Sequence, residues 1–138
     1  MKILVDTSIW SLALRRNSDL NRKEVRELLQ LIREFRTIMI GPIRQELLSG
    51  IPDVKNFIAL REKLSSFDDF NIRSEDYESA AALFNTCRKK GIQGSHTDFL
   101  ICAVSIANGF PIFTADKDFT AFQKHTGFKL HKIRDEFR

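Results

Sequence analysis

The sequence has few of the residues that mark specialised protein classes. It contains two cysteines, three prolines and six glycines among 138 residues, too few for a disulfide framework, a collagen or a Pro/Gly-rich linker. Its longest uncharged apolar stretch, residues 99–106, is far shorter than the roughly 20 residues that span a bilayer. Asp6 interrupts the first apolar run, so no signal-peptide core follows Met1. We therefore expect a cytoplasmic protein that does not enter a membrane.

The rest of the composition is that of an ordinary globular protein. Hydrophobic residues make up 43% of the chain and charged residues 29%, enough to build one buried core. Cys87 and Cys102 both fall in apolar helical patterns, so we expect reduced core residues and no disulfide. The length suits one compact domain. We therefore expect a single domain over residues 1–138.

Short apolar runs alternate with amphipathic stretches along the chain, which predicts strands and helices in turn. The predicted strands are residues 2–5, 37–40, 69–72, 111–114 and 128–131. The predicted helices are residues 8–16, 21–36, 41–49, 54–64, 74–90 with Ser74 as its cap, a helix capped by Ser95 or Thr97 that runs to residue 108, and residues 119–125. This alternation predicts an α/β fold with helices on both faces of a mainly parallel sheet.

Acidic residues follow several of the predicted strands. Asp6 comes directly after the first strand, Asp116 lies two residues after the strand at 111–114, and Asp118 follows two further on. Glu46 stands about one turn into the helix after the strand at 37–40, where apolar neighbours would turn it partly inward. Asp98 begins a helix that is apolar all round and therefore buried. Since ligands bind at the carboxyl ends of parallel strands, these acids mark a candidate site.

Each acid also has a purely structural interpretation. Asp6 could cap the first helix, and Asp98 could simply favour its helix dipole. Asp116 and Asp118 could be turn or cap residues, and Glu46 could be solvated. Taken together the acids are harder to explain in this way, because no Lys or Arg adjoins Asp6 or Asp98 and clustered carboxylates repel one another. Oxygen-only ligands suit Mg²⁺ or Mn²⁺, and such ions promote reactions at phosphoryl groups.

The remaining charge of the chain is basic. There are 22 Lys and Arg residues against 18 Asp and Glu, a net charge of +4. Setting aside the five candidate acids leaves 13 acids against the same 22 bases. An acidic pocket on a basic body suits a polyanion that is held by its backbone. The basic runs at 15–16, 22–23 and 88–90 could equally be solvated surface.

Four short motifs carry the candidate acids. They are residues 5–8 (VDTS), 44–50 (RQELLSG), 97–103 (TDFLICA) and 113–119 (FTADKDF). In this order and at this spacing they resemble the motifs of PIN-domain ribonucleases, and in size and layout the chain is similar to the VapC-type toxins of type II toxin–antitoxin pairs. The resemblance covers nearly the whole chain. Cys102 departs from it, since a small residue such as Ala is expected there.

The resemblance implies an α/β/α sandwich and endonucleolytic cleavage of RNA that depends on Mg²⁺ or Mn²⁺. It implies that one acid from each motif belongs to a catalytic and metal-binding quartet, namely Asp6, Glu46, Asp98 and Asp116. Asp118 would be an auxiliary metal ligand, and Thr7, Ser8 and Thr114 would hydrogen-bond and orient the carboxylates. The partners it implies are an RNA substrate, a second copy of the chain in a homodimer and a small cognate VapB-like antitoxin.

Two other functions stay open at this point. A metal-dependent phosphatase or phosphoacceptor domain also places an Asp after its first strand, although such a phosphatase needs a second Asp where Ser8 stands, and a phosphoacceptor needs a Lys in place of Asp116. The other is a catalytically silent module that binds RNA or protein. His96 is either a loop residue or a substrate contact, and Trp10 is more typical of a core than of a partner surface.

Overall fold

The computed structural model describes residues 1–14 and 19–134. Within these ranges the chain forms three strands and seven helices. In chain order they are β1 (Ile3–Val5), α1 (Thr7–Leu14), α2 (Lys23–Arg33), β2 (Thr37–Ile38), α3 (Gly41–Ser49), α4 (Val54–Leu64), α5 (Ser74–Lys89), α6 (His96–Asn108), β3 (Ile112–Phe113) and α7 (Asp118–Thr126). The first predicted helix was expected to reach residue 16, and residues 15 and 16 lie outside the described ranges.

The strands form a parallel sheet in the order β2-β1-β3. Single parallel bridges widen it at both edges, from Met39 to Asp69 and from Ile112 to Leu130. The predicted strands at 69–72 and 128–131 are therefore present as one bridge each, in keeping with the short edge strands of natural sheets. The fold is the α/β/α sandwich around a parallel sheet that the sequence predicts. Because β1 and β3 are parallel, their carboxyl ends lie at the same edge of the sheet.

The core is built around β1 and α6. All three residues of β1 are buried, and so are seven consecutive residues of α6, from Phe99 to Ser105. Trp10 is 2% exposed and belongs to the core, as expected. Cys87 and Cys102 are both free and buried, which confirms their assignment as core thiols. No helix in the described part of the chain is long and apolar enough to cross a membrane.

The end of α2 and the cap of α5 differ from the predictions for local reasons. Helix α2 ends at Arg33 rather than at residue 36, because Phe35 has a left-handed backbone with φ 56°, which no α-helix can continue through. Helix α5 is capped by Arg73, so the assignment of Ser74 as its cap was wrong. The Asp76 carboxylate accepts a 3.0 Å hydrogen bond from the Arg73 backbone N–H, which satisfies a free donor at the helix start.

Helix α3, which carries Glu46, is fixed by one arginine. The Arg44 Nε–H donates to Asp69 Oδ1 over 3.0 Å, and the same guanidinium donates to the carbonyls of Leu64 and Phe67. These bonds tie α3 to the end of α4 and to the bridge at the sheet edge. The exposed side of α3 is therefore held in a defined place beside the carboxyl ends of the strands.

Candidate acidic site

Asp6 is the most deeply placed of the candidate acids. It follows β1 directly and is 4% exposed. Its backbone N–H donates to the Phe113 carbonyl over 2.9 Å, which joins it to the end of β3. Its Oδ2 accepts hydrogen bonds of 2.8 Å from the Ser8 hydroxyl and of 2.8 Å from the Thr114 hydroxyl. Hydroxyl donors stabilise the ionised carboxylate and fix its orientation.

The loop after β3 is connected to Asp6 through these same hydroxyls. The Thr114 hydroxyl oxygen accepts a 3.0 Å bond from the Asp116 N–H, and the Ser8 hydroxyl oxygen accepts a 2.9 Å bond from the Ala115 N–H. Asp116 Oδ1 in turn accepts from the Asp118 N–H over 2.9 Å. The contacts of Ser8 and Thr114 with Asp6 are those that the resemblance implies. Their roles in function stay predictions.

Glu46 reaches the site from α3. Its Oε1 accepts a 2.7 Å hydrogen bond from the Thr7 hydroxyl, 39 positions away in sequence. The expectation that Glu46 is turned partly inward was wrong, since Glu46 is exposed. Helix α3 buries Ile43 and Leu47, one turn apart, and this leaves Glu46 at the edge of the buried face. Thr7 and Glu46 line a cavity of about 500 Å³ together with Thr97.

Asp98 joins the site from the N-terminus of α6. Ser95 and Asp98 form a reciprocal capping box, in which the Ser95 N–H donates to Asp98 Oδ2 and the Asp98 N–H donates to Ser95 Oγ, both over 3.0 Å. The structural interpretation of Asp98 as a helix-end residue is therefore correct. It is also incomplete, because Asp98 is half-buried and interacts electrostatically with two of the other acids.

The pKa of Asp98 reports this proximity. Burial raises the pKa of Asp98 above its usual value, the hydrogen bonds from Ser95 oppose the rise, and the negative charges of Asp6 and Asp116 add to it. Carboxylates that follow β1 and β3 and one at the start of α6 thus share one electrostatic environment. The strand ends predict this convergence for Asp6 and Asp116, whereas Asp98 reaches the site through the packing of α6.

Cys102 is buried and interacts electrostatically with Asp98 and Asp6. Burial raises the pKa of the Cys102 thiol far above its usual range, and the charges of Asp98, Cys87 and Asp6 raise it further. A thiol in such surroundings stays protonated, and a protonated thiol is a poor metal ligand. The departure from the expected small residue at position 102 therefore leaves the donor set of the site unchanged.

Among the described residues, no cation is in an ion pair with a candidate acid. Seven side-chain ion pairs occur in residues 1–14 and 19–134, and none of them includes Asp6, Glu46, Asp98, Asp116 or Asp118. In the same ranges, no three His, Cys, Asp or Glu side chains stand close enough to form a ready metal cage. The site is therefore a set of carboxylates coupled by charge and positioned by hydroxyls. Its oxygen-only donors fit a hard divalent cation such as Mg²⁺ or Mn²⁺.

Pocket-lining residues were the part of the site that the sequence did not indicate. Pro42, Gln45, Ser49 and Thr97 line the cavity beside Glu46. Gln45, Ser49 and Thr97 lie inside the motifs that carry the acids, and this is the one sequence signal that could have found them. Pro42 lies outside the motifs. Their types, a proline, an amide and two hydroxyls, occur so widely that composition alone could not single them out.

Solved structures of similar fold are found among complexes of VapBC and related proteins. The chain matches FitAcB from Neisseria gonorrhoeae at 20% identity and TM-score 0.74, over 94% of this chain and 96% of that one. It matches VapBC2 from Rickettsia felis, bound to a DNA fragment from the promoter, at 18% identity and TM-score 0.71, over 98% and 100%. It matches VapBC-1 from nontypeable Haemophilus influenzae at 14% identity and TM-score 0.70, over 96% and 98%. At these identities the likeness concerns the fold.

The sequence itself supplies the family. No curated protein matches the chain at a significant level. Residues 3–124, however, match the PIN domain family, a stretch that runs from β1 into α7 and includes every candidate acid. The family match, the parallel sheet and the acids at its carboxyl edge agree with one another. The chain therefore belongs to the PIN domain family.

Proposed function

We propose that the protein is a Mg²⁺- or Mn²⁺-dependent endoribonuclease that acts in the cytoplasm as the toxin of a VapBC-like toxin–antitoxin pair. The observation that carries the proposal is that Thr114 joins the Asp6 carboxylate to the Asp116 backbone and that Asp98 lies within electrostatic range of both acids. Among residues 1–14 and 19–134, no ion pair neutralises any of the three. PIN domains are generally nucleases that use a divalent metal. Solved structures of the same fold are VapBC complexes and a toxin–antitoxin complex from Klebsiella pneumoniae.

The residues assigned to the metal are the coupled carboxylates. Asp6, Asp98 and Asp116 would hold the ion, with Glu46 as a ligand directly or through water and Asp118 as an auxiliary one. A bound Mg²⁺ or Mn²⁺ supplies Lewis-acid stabilisation of charge on the phosphoryl group and makes water a better nucleophile. The donor chemistry of these five side chains is that of a hard, oxygen-preferring cation.

The neighbouring hydroxyls prepare the carboxylates for this task. Ser8 and Thr114 hold Oδ2 of Asp6, and Thr7 holds Oε1 of Glu46, each through a bond of 2.7 or 2.8 Å. Side chains that are already oriented need no reorganisation when charge develops on the substrate. The reaction we assign is hydrolysis of an RNA phosphodiester by in-line attack of water with release of the 3′ oxygen.

The partners follow from the same proposal. The basic excess of the chain outside the acidic site suits binding of the RNA backbone. A small VapB-like antitoxin would bind the toxin and cover the site, and the toxin would form a homodimer. Both are proposals taken from the resemblance and from the complexes named above.

RNA cleavage by the purified protein tests the proposed activity. We expect it to cut a mixture of cellular RNAs internally in Mg²⁺ or Mn²⁺ and to stop in EDTA. Asp6→Asn should remove cleavage while the far-ultraviolet circular dichroism spectrum stays unchanged. Hydrolysis of phosphomonoesters without RNA cleavage would favour the phosphatase alternative. RNA binding without any hydrolysis would favour the silent module.

Gene neighbourhood and growth test the toxin role. We expect a gene next to this one to encode a small protein with a DNA-binding N-terminal part. Expression of the chain alone should arrest growth, and co-expression of the neighbour should restore it. Growth arrest by the Asp6→Asn variant to the same extent would contradict the proposed link between toxicity and the acidic site.

A further inference from the structure

An apolar cleft opens directly beside the acidic site. It has a volume of about 360 Å³ and is lined by side chains of α5 and α6, among them Tyr77 and His96. Pro42 and Thr97 line both this cleft and the cavity that contains Glu46. The cleft therefore adjoins the cavity at the acidic site, although no candidate acid lines it.

His96 presents an aromatic platform in this cleft. Its exposed ring is stacked on the ring of Phe84, with the ring centroids 5.0 Å apart and the planes 19° from parallel. Phe84 is half-buried and packs edge-on against the buried Phe99, at 5.6 Å between centroids. Phe99 packs in turn on Phe122. The exposed imidazole thus rests on rings that belong to the core.

The backbone that leads into His96 is also fixed. A Cβ atom on Gly94 would lie 2.7 Å from Phe122 Cζ and 2.9 Å from Phe99 Cε2, so the chain approaches the core rings as closely as a glycine permits. Ser95 then begins α6 with its capping box. The platform is therefore preorganised, and little conformational entropy is lost when a ligand stacks on it.

Positive charge flanks the platform on α5. The Arg88 guanidinium lies 5.6 Å from the centroid of the Phe84 ring, and Arg88, Lys89 and Lys90 are all exposed. In the described part of the chain none of the three is in an ion pair with a carboxylate. The platform thus combines a flat aromatic surface with the Arg88 cation beside it. An unpaired nucleotide strand has the complementary pair of features, flat bases and a line of phosphates.

We propose that the cleft holds an unpaired nucleobase of the RNA, stacked on His96 and next to the phosphate that is cut, while Arg88 contacts a phosphate of the same strand. This inference rests on the proposed ribonuclease function and adds to it a subsite for one base beside the acidic site. Stacking on an aromatic ring accepts every base, so His96 selects unpaired strands without reading their sequence. A base in a duplex is already stacked on its neighbours and cannot enter the cleft.

Binding without cleavage tests the platform. The probe is a fluorescein-labelled single-stranded oligoribonucleotide, measured by fluorescence anisotropy in EDTA. We expect His96→Ala to weaken binding about tenfold, within the range for loss of one stacked base. His96→Phe should bind like wild type, because it keeps an aromatic ring. Asn85→Ala, at an exposed position of the same helix hairpin, is the control and should have no effect.

Oligonucleotides that lack one base identify the stacked nucleotide. At one position in the strand, removal of the base should weaken wild-type binding about tenfold and leave binding by His96→Ala unchanged. Arg88→Ala should lower the slope of log affinity against log salt by about 0.7, the value for one phosphate contact to a single strand. If the loss of binding free energy from His96→Ala and the loss from base removal are additive at every position of the strand, the proposal is overturned.

Two other results would also overturn it. If His96→Ala weakens self-association in sedimentation velocity but leaves RNA affinity unchanged, the cleft receives a second copy of this chain. If a duplex of the same sequence binds as tightly as the single strand, the cleft does not hold an unpaired base. A wild-type protein that binds no RNA at all would contradict the proposed function as well, whereas RNA binding that is indifferent to His96 overturns the platform alone.

Discussion

The Thr114 hydroxyl donates a 2.8 Å hydrogen bond to Oδ2 of Asp6, across 108 positions of sequence. The same Thr114 oxygen accepts a hydrogen bond from the Asp116 N–H. One side chain therefore sets the position of a buried carboxylate after β1 and of the loop after β3. This relationship makes Thr114 a positioning residue whose contribution can be measured separately from that of the acids.

Replacement of Thr114 tests that contribution. Thr114→Val keeps the shape of the side chain but removes both hydrogen bonds, and we expect the rate of RNA cleavage to fall about 10- to 100-fold, the usual effect of losing a partner that orients a metal ligand. Thr114→Ser retains the hydroxyl and should recover most of the rate. The measurement is single-turnover cleavage at saturating Mn²⁺. Equal rates for Thr114→Val and wild type would contradict the positioning role.

Asp98 should lower the stability of the protein at neutral pH when no metal is present. Burial and the charges of Asp6 and Asp116 raise the pKa of Asp98 above its usual 3.8, against the opposing bonds from Ser95. The folded chain then binds the proton more tightly than the unfolded chain, so the free energy of unfolding falls as the pH rises and Asp98 ionises. Asp98→Asn retains a side-chain oxygen for the capping box and removes this effect.

We therefore expect Asp98→Asn to melt at a higher temperature than wild type at pH 7.5 in EDTA, and the difference to shrink as the pH is lowered toward 4. Thermal denaturation followed by circular dichroism measures both. Asp68→Asn, at an exposed residue, is the matched control. A variant that is less stable than wild type at pH 7.5 would mean that the capping role of Asp98 outweighs the repulsion.

Metal should reverse the order of stability. A ligand that binds only the folded state at 100 times its Kd adds about 2.7 kcal/mol to the free energy of unfolding. Mn²⁺ should therefore raise the melting temperature of the wild type and have little effect on Asp98→Asn or Asp6→Asn. The same titration with Ca²⁺ or with added NaCl separates specific binding from screening. An equal shift in wild type and both variants would place the ion elsewhere.

The C-terminal segment is held by a buried carboxylate on α2. Glu27 is 1% exposed and accepts hydrogen bonds from His131 Nε2 at 2.7 Å and from the Arg134 guanidinium at 3.0 to 3.1 Å. Burial works to raise the pKa of Glu27, but the bonds from Arg134 and His131 outweigh it and the pKa lies below its usual 4.5. The ionised form is thus the stabilising one.

Removal of the Glu27 charge should be costly. We expect Glu27→Gln to lower the free energy of unfolding by about 3–5 kcal/mol at pH 7, since it leaves buried partners without their anion. The wild type should lose this contribution as the pH falls below 4.5 through the lowered pKa of Glu27, whereas the variant should show a flatter profile. Urea denaturation from pH 7 down to about pH 2 tests both, with the exposed Glu62→Gln as control. A loss below 1 kcal/mol would contradict the account.

Gly94 should tolerate no side chain. The Cβ atom of Gly94→Ala would lie 2.7 Å from Phe122 Cζ, which forces the core rings or the loop to shift. We expect a loss of about 1–3 kcal/mol in the free energy of unfolding. Gly50→Ala is the control, because its Cβ atom meets nothing within 4 Å and its φ of −88° suits any residue. Similar stabilities of the two variants would contradict the close approach at Gly94.

Local patterns predicted the elements of the fold better than their ends. Helices α3 and α4 agree with the pattern at both ends; α3 begins at the predicted Gly41-Pro42, and the structure shows Asp53 capping α4. Helix α2 was predicted too long, since hydrophobic spacing alone cannot show that Phe35 leaves the helical region. The outer strands shrink to single bridges because pairing depends on neighbours that are distant in sequence.

The candidate site, like the fold, could be predicted only in part from the sequence. Asp6 and Asp116 could be placed at one edge because each follows a strand of a parallel sheet. The hydrogen bond from Thr7 to Glu46 and the charge coupling of Asp98 depend on how helices pack, which periodicity does not specify. Periodicity would also place Glu27 on the polar face of α2, and its burial is explained only by His131 and Arg134 from the far end of the chain.

Single-turnover RNA cleavage by Asp98→Asn and by Asp116→Asn is the most direct test of the central claim, that carboxylates from separate parts of the chain form one divalent-metal site. With Mn²⁺ present and folding verified by thermal denaturation, we predict that wild type cuts RNA and that both variants lose at least 100-fold in rate, about 2.7 kcal/mol in activation free energy. Variants that are folded and cut RNA at the wild-type rate would contradict the claim.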